Sequence, residues 1–220
     1  MLEFLKVSKF YPLKKGKKII LDEVSFKFPD DSNIGILGLN GAGKSTVMRL
    51  IAGSEMPSSG FIRRLGRFSW PLGFGGGFNG NLSGEENLRF ICRIYGADIR
   101  KVTNYVSDFA ELGRSLYEPV RNYSNGMRAR LAFGLSLAID FDVYLIDEVM
   151  AVGDPVFRSK SKAAFEERRK NSNLILISHD MKTIRDYSNK IIILHNSMLT
   201  IYDDVEEGIK NYQGLSAETR

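Results

Sequence analysis

The sequence predicts an α/β fold with a parallel β-sheet core, and three observations carry the prediction. Short apolar strands end in chemically distinctive residues at "IGILG" (Ile34–Gly38), "VYLIDE" (Val143–Glu148) and "LILISHD" (Leu174–Asp180). Strand patterns alternate with helical ones on either side of a helical middle, which implies parallel pairing with both sheet faces covered. The first of these strands runs directly into "GLNGAGKST" (Gly38–Thr46), a glycine-rich turn that opens a helix.

The elements follow in chain order. "FLKVSKFY" (Phe4–Tyr11) and "LDEVSFKF" (Leu21–Phe28) alternate apolar residues with the period of half-buried strands, and Pro29 with "DDSN" ends the second. They form a small N-terminal β region beside the core strand Ile34–Gly38. "KSTVMRLIAG" (Lys44–Gly53) reads as a helix with Val47, Leu50 and Ile51 on one face and Gly53 at its C-cap. Ser83 followed three residues later by Glu86 is a capping box. It opens a helix with Leu88, Ile91, Cys92 and Tyr95 on one side. Ile99, Val102, Val106 and Phe109 mark a second helix, and a third begins near Asn125. Residues 73–140 therefore read as a helical subdomain inserted into a core lobe of residues 1–72 and 141–220. The return runs through Val143–Asp147, a helix to Glu167, Leu174–Ser178, Ile191–His195 and Met198–Tyr202.

Composition narrows the function classes. The 220 residues are 43% hydrophobic and 26% charged, an ordinary globular balance. No apolar run approaches the ~18 residues of a membrane span. The start "MLEFLKVSKFY" has no apolar core of a signal peptide. The single cysteine, Cys92, forms no internal disulfide and reads as helix packing. Net charge is +5, with one basic cluster, "LKKGKK" (Leu13–Lys18), that reads as a solvated loop between two strands. The expected setting is the cytoplasm.

Three constellations carry chemistry. The first fits G-x-x-x-x-G-K-[ST] at every fixed position, in the strand-to-helix context that the motif requires. Its set is Gly38, Leu39, Asn40, Gly41, Ala42, Gly43, Lys44, Ser45 and Thr46. The amides and the helix dipole attract a polyphosphate, Lys44 reaches the β- and γ-phosphates of ATP, and Ser45 ligates Mg²⁺. The second is the acid pair. A buried strand ending at Asp147 delivers a carboxylate to the sheet's C-terminal edge, where ligands bind in open α/β sheets, as a water-mediated Mg²⁺ partner. Glu148 is then placed to polarise an attacking water as general base. His179, at the end of another core strand, is placed to hydrogen-bond the γ-phosphate and sense its loss. His195 reads as structural.

The third is "NYSNGMRARLAFGLSLAI", where Ser124 N-caps a helix whose first turn holds Asn125, Gly126 and Met127. An exposed helix N-terminus is an anion site. One chain offers it no second polyphosphate, but two copies facing each other would. Each copy's Ser124–Gly126 would close over the nucleotide held by the other copy's Lys44, in a two-fold symmetric ATP sandwich.

These pieces, in this order, resemble the nucleotide-binding domain of ATP-binding cassette (ABC) proteins along almost the whole chain. The resemblance implies a P-loop NTPase fold with a RecA-like parallel core, a small N-terminal antiparallel β region and an inserted helical subdomain. It matches Tyr11 to the aromatic that stacks on adenine, "YSNGM" to the L-S-G-G-Q signature, and Asp154 of "AVGD" to an acid that contacts the partner subunit. The Y-S-x-G-M form, "DEVMAVGD" and "GFGGGFNGNLSGEEN" look like ATPases that export bacterial polysaccharides. With no room after Arg220 for the carbohydrate-binding domain that O-antigen types often carry, the capsule exporters are favoured.

The expected protein is thus an ATP-hydrolysing exporter subunit. It homodimerises on ATP, drives a separate membrane permease and sits peripherally on the cytoplasmic side of the bacterial inner membrane. Alternatives are O-antigen or teichoic acid export, and import. A nucleic-acid-linked ABC ATPase is permitted by the charge but lacks tandem cassettes and coiled-coil insertions, so no nucleic acid partner is expected. A non-transport nucleotide switch would not need "YSNGM" and "SHD". The glycine-rich stretch Gly73–Gly80 falls where the family has its Q-loop. The only glutamine is Gln213, so the expected one is missing there. The stretch reads as a hinge and docking surface for the permease.

Overall fold

A computed structural model of the chain describes residues 1–72, 77–147 and 155–218. The chain divides into two compact units, one of Met1–Pro71, Asp142–Glu148 and Ser172–Arg220, the other of Leu72–Phe141 and Val149–Asn171. The described helix after the acid pair thus groups with the helical unit, where sequence periodicity places it in the core lobe.

The first unit contains two sheets. The smaller is antiparallel, in the order β2-β1-β4, from β1 (Leu2–Pro12), β2 (Lys17–Phe28) and β4 (Ser59–Arg64). The larger includes β3 (Ile34–Leu37), β5 (Phe68–Pro71), β6 (Val143–Asp147), β7 (Asn173–Ile177), β8 (Lys190–His195) and β9 (Met198–Tyr202), in the order β5-β6-β7-β3-β8-β9. Its first five strands run parallel, and β9 closes the edge antiparallel to β8. The β8–β9 turn is Asn196–Ser197, both with positive φ (46° and 61°), the conformation that matches the twist of a two-residue hairpin.

β1 departs from simple alternation. Leu2 and Phe4 face the core, but so does Val7, one position out of phase. The pairing registers with both neighbours shift across this segment, and Lys6 takes φ 49°. A bulge flips the side-chain phase and keeps apolar groups inward on both sides of it. Gly60 of β4 packs against the Lys6 carbonyl there, where a Cβ would collide with backbone.

One apolar core joins both sheets through α1 (Lys44–Ala52), which buries Val47, Met48, Leu50 and Ile51. The C-terminus of α1 is closed twice. Gly53 in the left-handed conformation returns its N–H to Leu50 O at 3.2 Å. Arg64 of β4 donates from Nε to Ile51 O at 2.8 Å and from Nη2 to Leu50 O. A guanidinium on orphan carbonyls at the negative end of a helix dipole satisfies both. Arg64→Ala should lower stability in a urea titration by about 1.5–3 kcal/mol, the scale of a charge-assisted hydrogen bond.

The second unit holds α2 (Gly84–Tyr95), α3 (Ile99–Ala110), α4 (Asn125–Ala138) and α5 (Pro155–Arg169), with 3₁₀ turns at Gly113–Tyr117 and Val120–Asn122. The predicted capping box is present. Ser83 Oγ accepts from Glu86 N at 3.1 Å, and Glu86 Oε2 accepts from Ser83 N at 2.7 Å. α4 is the central helix, buried continuously from Leu131 to Leu137. Its Phe133 stacks on Phe109 of α3, and Phe157 of α5 meets the same ring edge to face. Cys92 is fully buried in α2, and burial pushes its thiol up, in keeping with packing rather than reactivity. The chain closes with α6 (Met181–Tyr187) and α7 (Val205–Glu218) in the first unit.

Candidate functional site

The phosphate loop begins where β3, buried along its whole length, ends at Leu37. Gly38 passes so close to β8 that a Cβ would lie 2.7 Å from Leu194 O. Gly43 sits at φ 108° as the N-cap of α1, where a Cβ would run into Ile20 of β2. Both positions admit only glycine. No side chain caps the first turn of α1, so its N-terminal amides and the positive end of its dipole face outward with Ser45 exposed. Lys44 folds back over the loop, donating from Nζ to Gly38 O at 2.8 Å and Leu39 O at 3.3 Å.

Strand register aligns the other elements. Across the adjacent strands β6-β7-β3, Asp147 pairs with Ile177, and Ile177 pairs with Ile36. Asp147, the turn Ser178–His179 and the phosphate loop therefore leave the same edge of the sheet. The strand that ends before His179 lies between the other two, an order that sequence alone does not specify. Asp147 is half-buried and His179 exposed. Asp180 caps the short α6, accepting from the Lys182 and Thr183 amides at 3.1 Å and the Thr183 hydroxyl at 2.6 Å. The Thr183 hydroxyl first, then the two amides, hold its carboxyl below the ordinary range. Glu148 and Asp154 lie outside the described residues.

Tyr11 closes β1 beside α1 in a network that sequence reading missed. Its hydroxyl donates to Glu55 Oε1 at 2.6 Å, lies 3.2 Å from Thr46 Oγ1 and accepts from Arg49 Nη2 at 3.2 Å. Arg49 also donates to Thr46 Oγ1 at 3.2 Å and, through Nε, to Glu55 Oε2 at 2.9 Å. The Lys9 ammonium pairs with Glu55 at 2.7 Å and lies 5.1 Å from the centre of the Tyr11 ring. Burial would raise the Glu55 carboxyl, but hydrogen bonds from Lys9, Tyr11 and Arg49 outweigh it and lower it to about 2. The available signal was Arg49, three residues after Thr46 and so on the same helix face.

In the helical unit Ser124 Oγ accepts from Met127 N at 3.2 Å and caps α4 as predicted. Asn125 and Gly126 are exposed in the first turn, which contains no acid. The preceding Tyr123 is buried and anchors this turn. Its hydroxyl donates to Ser115 O at 2.5 Å and fills the space beside Gly84. Arg128 reinforces the turn by donating to Val120 O and Arg121 O.

Of the glycine-rich stretch, Gly73–Gly76 lie outside the described residues. Its later part is pinned. Buried Asn87 of α2 accepts from Asn79 N at 2.9 Å and donates to Asn79 O at 3.1 Å and Ser83 O at 2.8 Å. Just before the stretch, β5 skips register between Phe68 and Pro71, and the buried Ser69 hydroxyl accepts the Leu145 N–H at 2.9 Å in the gap. Proline is tolerated here because β5 is an edge strand.

The ABC transporter family model matches residues 21–151. The capsule polysaccharide export ATP-binding protein CtrD of Neisseria meningitidis serogroup B is 47% identical, over 98% of this chain and 100% of CtrD. The ATP-binding protein BexA of Haemophilus influenzae is 46% identical, over 96% of this chain and 98% of BexA. The teichoic acids export ATP-binding protein TagH of Staphylococcus haemolyticus is 36% identical, over 91% of this chain and 77% of TagH. A dimeric ATP-binding cassette solved in a post-hydrolysis state with ADP and Pi matches with a TM-score of 0.71 at 20% identity, over 92% of this chain and 98% of that one. That likeness is one of fold, and it is the fold that the sequence predicts.

Proposed function

Because the chain belongs to the ABC transporter family, we propose that it is the ATP-hydrolysing subunit of a capsular polysaccharide exporter, paired with a separate membrane permease. Among the described residues no helix is long and apolar enough to cross a membrane, and this reading assigns the translocation path to the permease. The reading places the subunit peripherally on the cytoplasmic side of the bacterial inner membrane. The observation that carries the catalytic part is the shared sheet edge of the phosphate loop, Asp147 and His179. The near full-length likeness to CtrD and BexA supports capsule export. The TagH likeness supports a second reading, export of teichoic acids.

In this reading the α1 amides and Lys44 bind the β- and γ-phosphates of ATP. The Tyr11 ring stacks on adenine. Ser45 and Asp147 are hard oxygen donors, and among the described residues no cluster of three metal-ligating side chains forms a closed cage. That donor set fits Mg²⁺, which takes few protein ligands beside phosphate and water. The ion would neutralise charge building on the phosphates. Glu148 takes the proton of the attacking water, His179 holds the γ-phosphate, and the α4 N-terminus of a second copy closes over it from Ser124 and Gly126. Asp154 then meets that second copy.

Subunit mixing tests the two-fold arrangement. Lys44→Ala and Gly126→Asp each remove one half of the composite site, so each variant alone should be inactive. Mixed 1:1, half of the dimers pair one intact Lys44 with one intact α4 N-terminus, and about a quarter of the wild-type ATPase rate should return. A mixture as inactive as its components would exclude a site shared between copies.

A further inference from the structure

We propose that Glu55 is a positioning residue for nucleotide binding, which fixes the Tyr11 ring against the phosphate loop by holding the Tyr11 hydroxyl. The proposal rests on the reading that Tyr11 is the adenine platform. The Tyr11 ring is partly buried against the apolar core, and that packing leaves its hydroxyl end to be fixed by polar contacts. Here the far end is held by Glu55 at 2.6 Å and Arg49 at 3.2 Å, with Thr46 of the loop also 3.2 Å away. Glu55 in turn is held from two sides, by Lys9 of β1 and by Arg49 of α1. Its side chain is only 19% exposed. One carboxylate therefore ties the ring to the helix that carries Lys44, Ser45 and Thr46. A ring already immobilised loses less freedom when a base stacks on it, which appears as affinity.

The test is a double-mutant cycle on the purified full-length chain, reading KM for ATP and kcat separately in the presence of Mg²⁺. Glu55→Ala should raise KM about three- to tenfold, the scale of one side chain newly immobilised on binding, and change kcat by less than about twofold. Tyr11→Phe keeps the ring but removes the hydroxyl, and should raise KM by a similar factor. Because Glu55 acts through that hydroxyl, the double variant should be no worse than the weaker single one. Glu55→Gln keeps the volume and one acceptor oxygen. It should fall between wild type and Glu55→Ala, and it carries the cycle if the alanine variant does not fold. An unchanged KM in folded Glu55→Ala and Glu55→Gln, or fold-changes that multiply in the double variant, would overturn the proposal. Tyr11→Ala separates the premise from the proposal. A normal KM there would remove the adenine platform itself, and the positioning role with it.

Discussion

Glu148→Gln is expected to reduce steady-state ATP hydrolysis by about 10²–10⁴-fold, the usual range for loss of a general base. Glutamine has the size of glutamate and donates and accepts hydrogen bonds, but it cannot take a proton from water at neutral pH. In the proposed reading, binding by the amides of α1 and by Lys44 involves no step at residue 148, so the nucleotide should still bind. A dimer that closes on ATP and cannot hydrolyse it should accumulate. Size-exclusion chromatography with ATP should then show a stable dimer for the variant and a monomer, or a smaller dimer fraction, for wild type. Near-normal turnover would remove Glu148 from the mechanism, and Asp147, one residue earlier on β6, would be the next acid to test.

Lys44→Ala is expected to lower ATPase activity by about 10²–10³-fold, the cost of removing one preorganised donor from developing charge. The fold should survive. In this structure the ammonium donates to the Gly38 and Leu39 carbonyls, part-buried contacts that water entering the vacated space can replace. Thermal melts should therefore match wild type without nucleotide, while the stabilisation that ATP normally adds should be lost. In cells the variant should leave polysaccharide inside and none on the surface, read by capsule staining of intact and permeabilised cells. Normal surface capsule would sink the export reading. Loss of surface teichoic acid with capsule intact would favour the second reading.

The placement of the motif residues was legible because their signals are local. A glycine motif, an acid-tipped strand and an N-cap each occupy a few consecutive residues with one physical reading. The Ser83–Glu86 box and the Ser124 cap appear atom for atom in the structure. What stayed hidden is held by contacts distant in sequence. β4 reads "SGFIRR", in which only Ile62 is buried, so its pattern is that of a surface loop. It becomes a strand by pairing with β1, some sixty residues earlier in register at Leu2 and Arg64. α7 contains Gly208 and Gly214, which weaken any helical pattern. Gly208 is needed because Ile191 of β8 fills the space beside it. Lys9, Arg49 and Glu55 look like surface charges one by one, and only the meeting of β1, α1 and the following loop makes them a network.

All three strands of the antiparallel sheet reach the helix behind the phosphate loop. Ile20 of β2 abuts its N-cap at Gly43, Tyr11 of β1 meets it at Thr46, and Arg64 of β4 holds its last carbonyls. The sheet is thus a three-point mount for α1 and the loop that precedes it. In a deep mutational scan scored by ATP affinity, sensitive positions should not stop at the loop. They should extend as a stripe across three strands whose side chains never touch a phosphate, while neighbouring positions on the opposite face of the same strands stay silent.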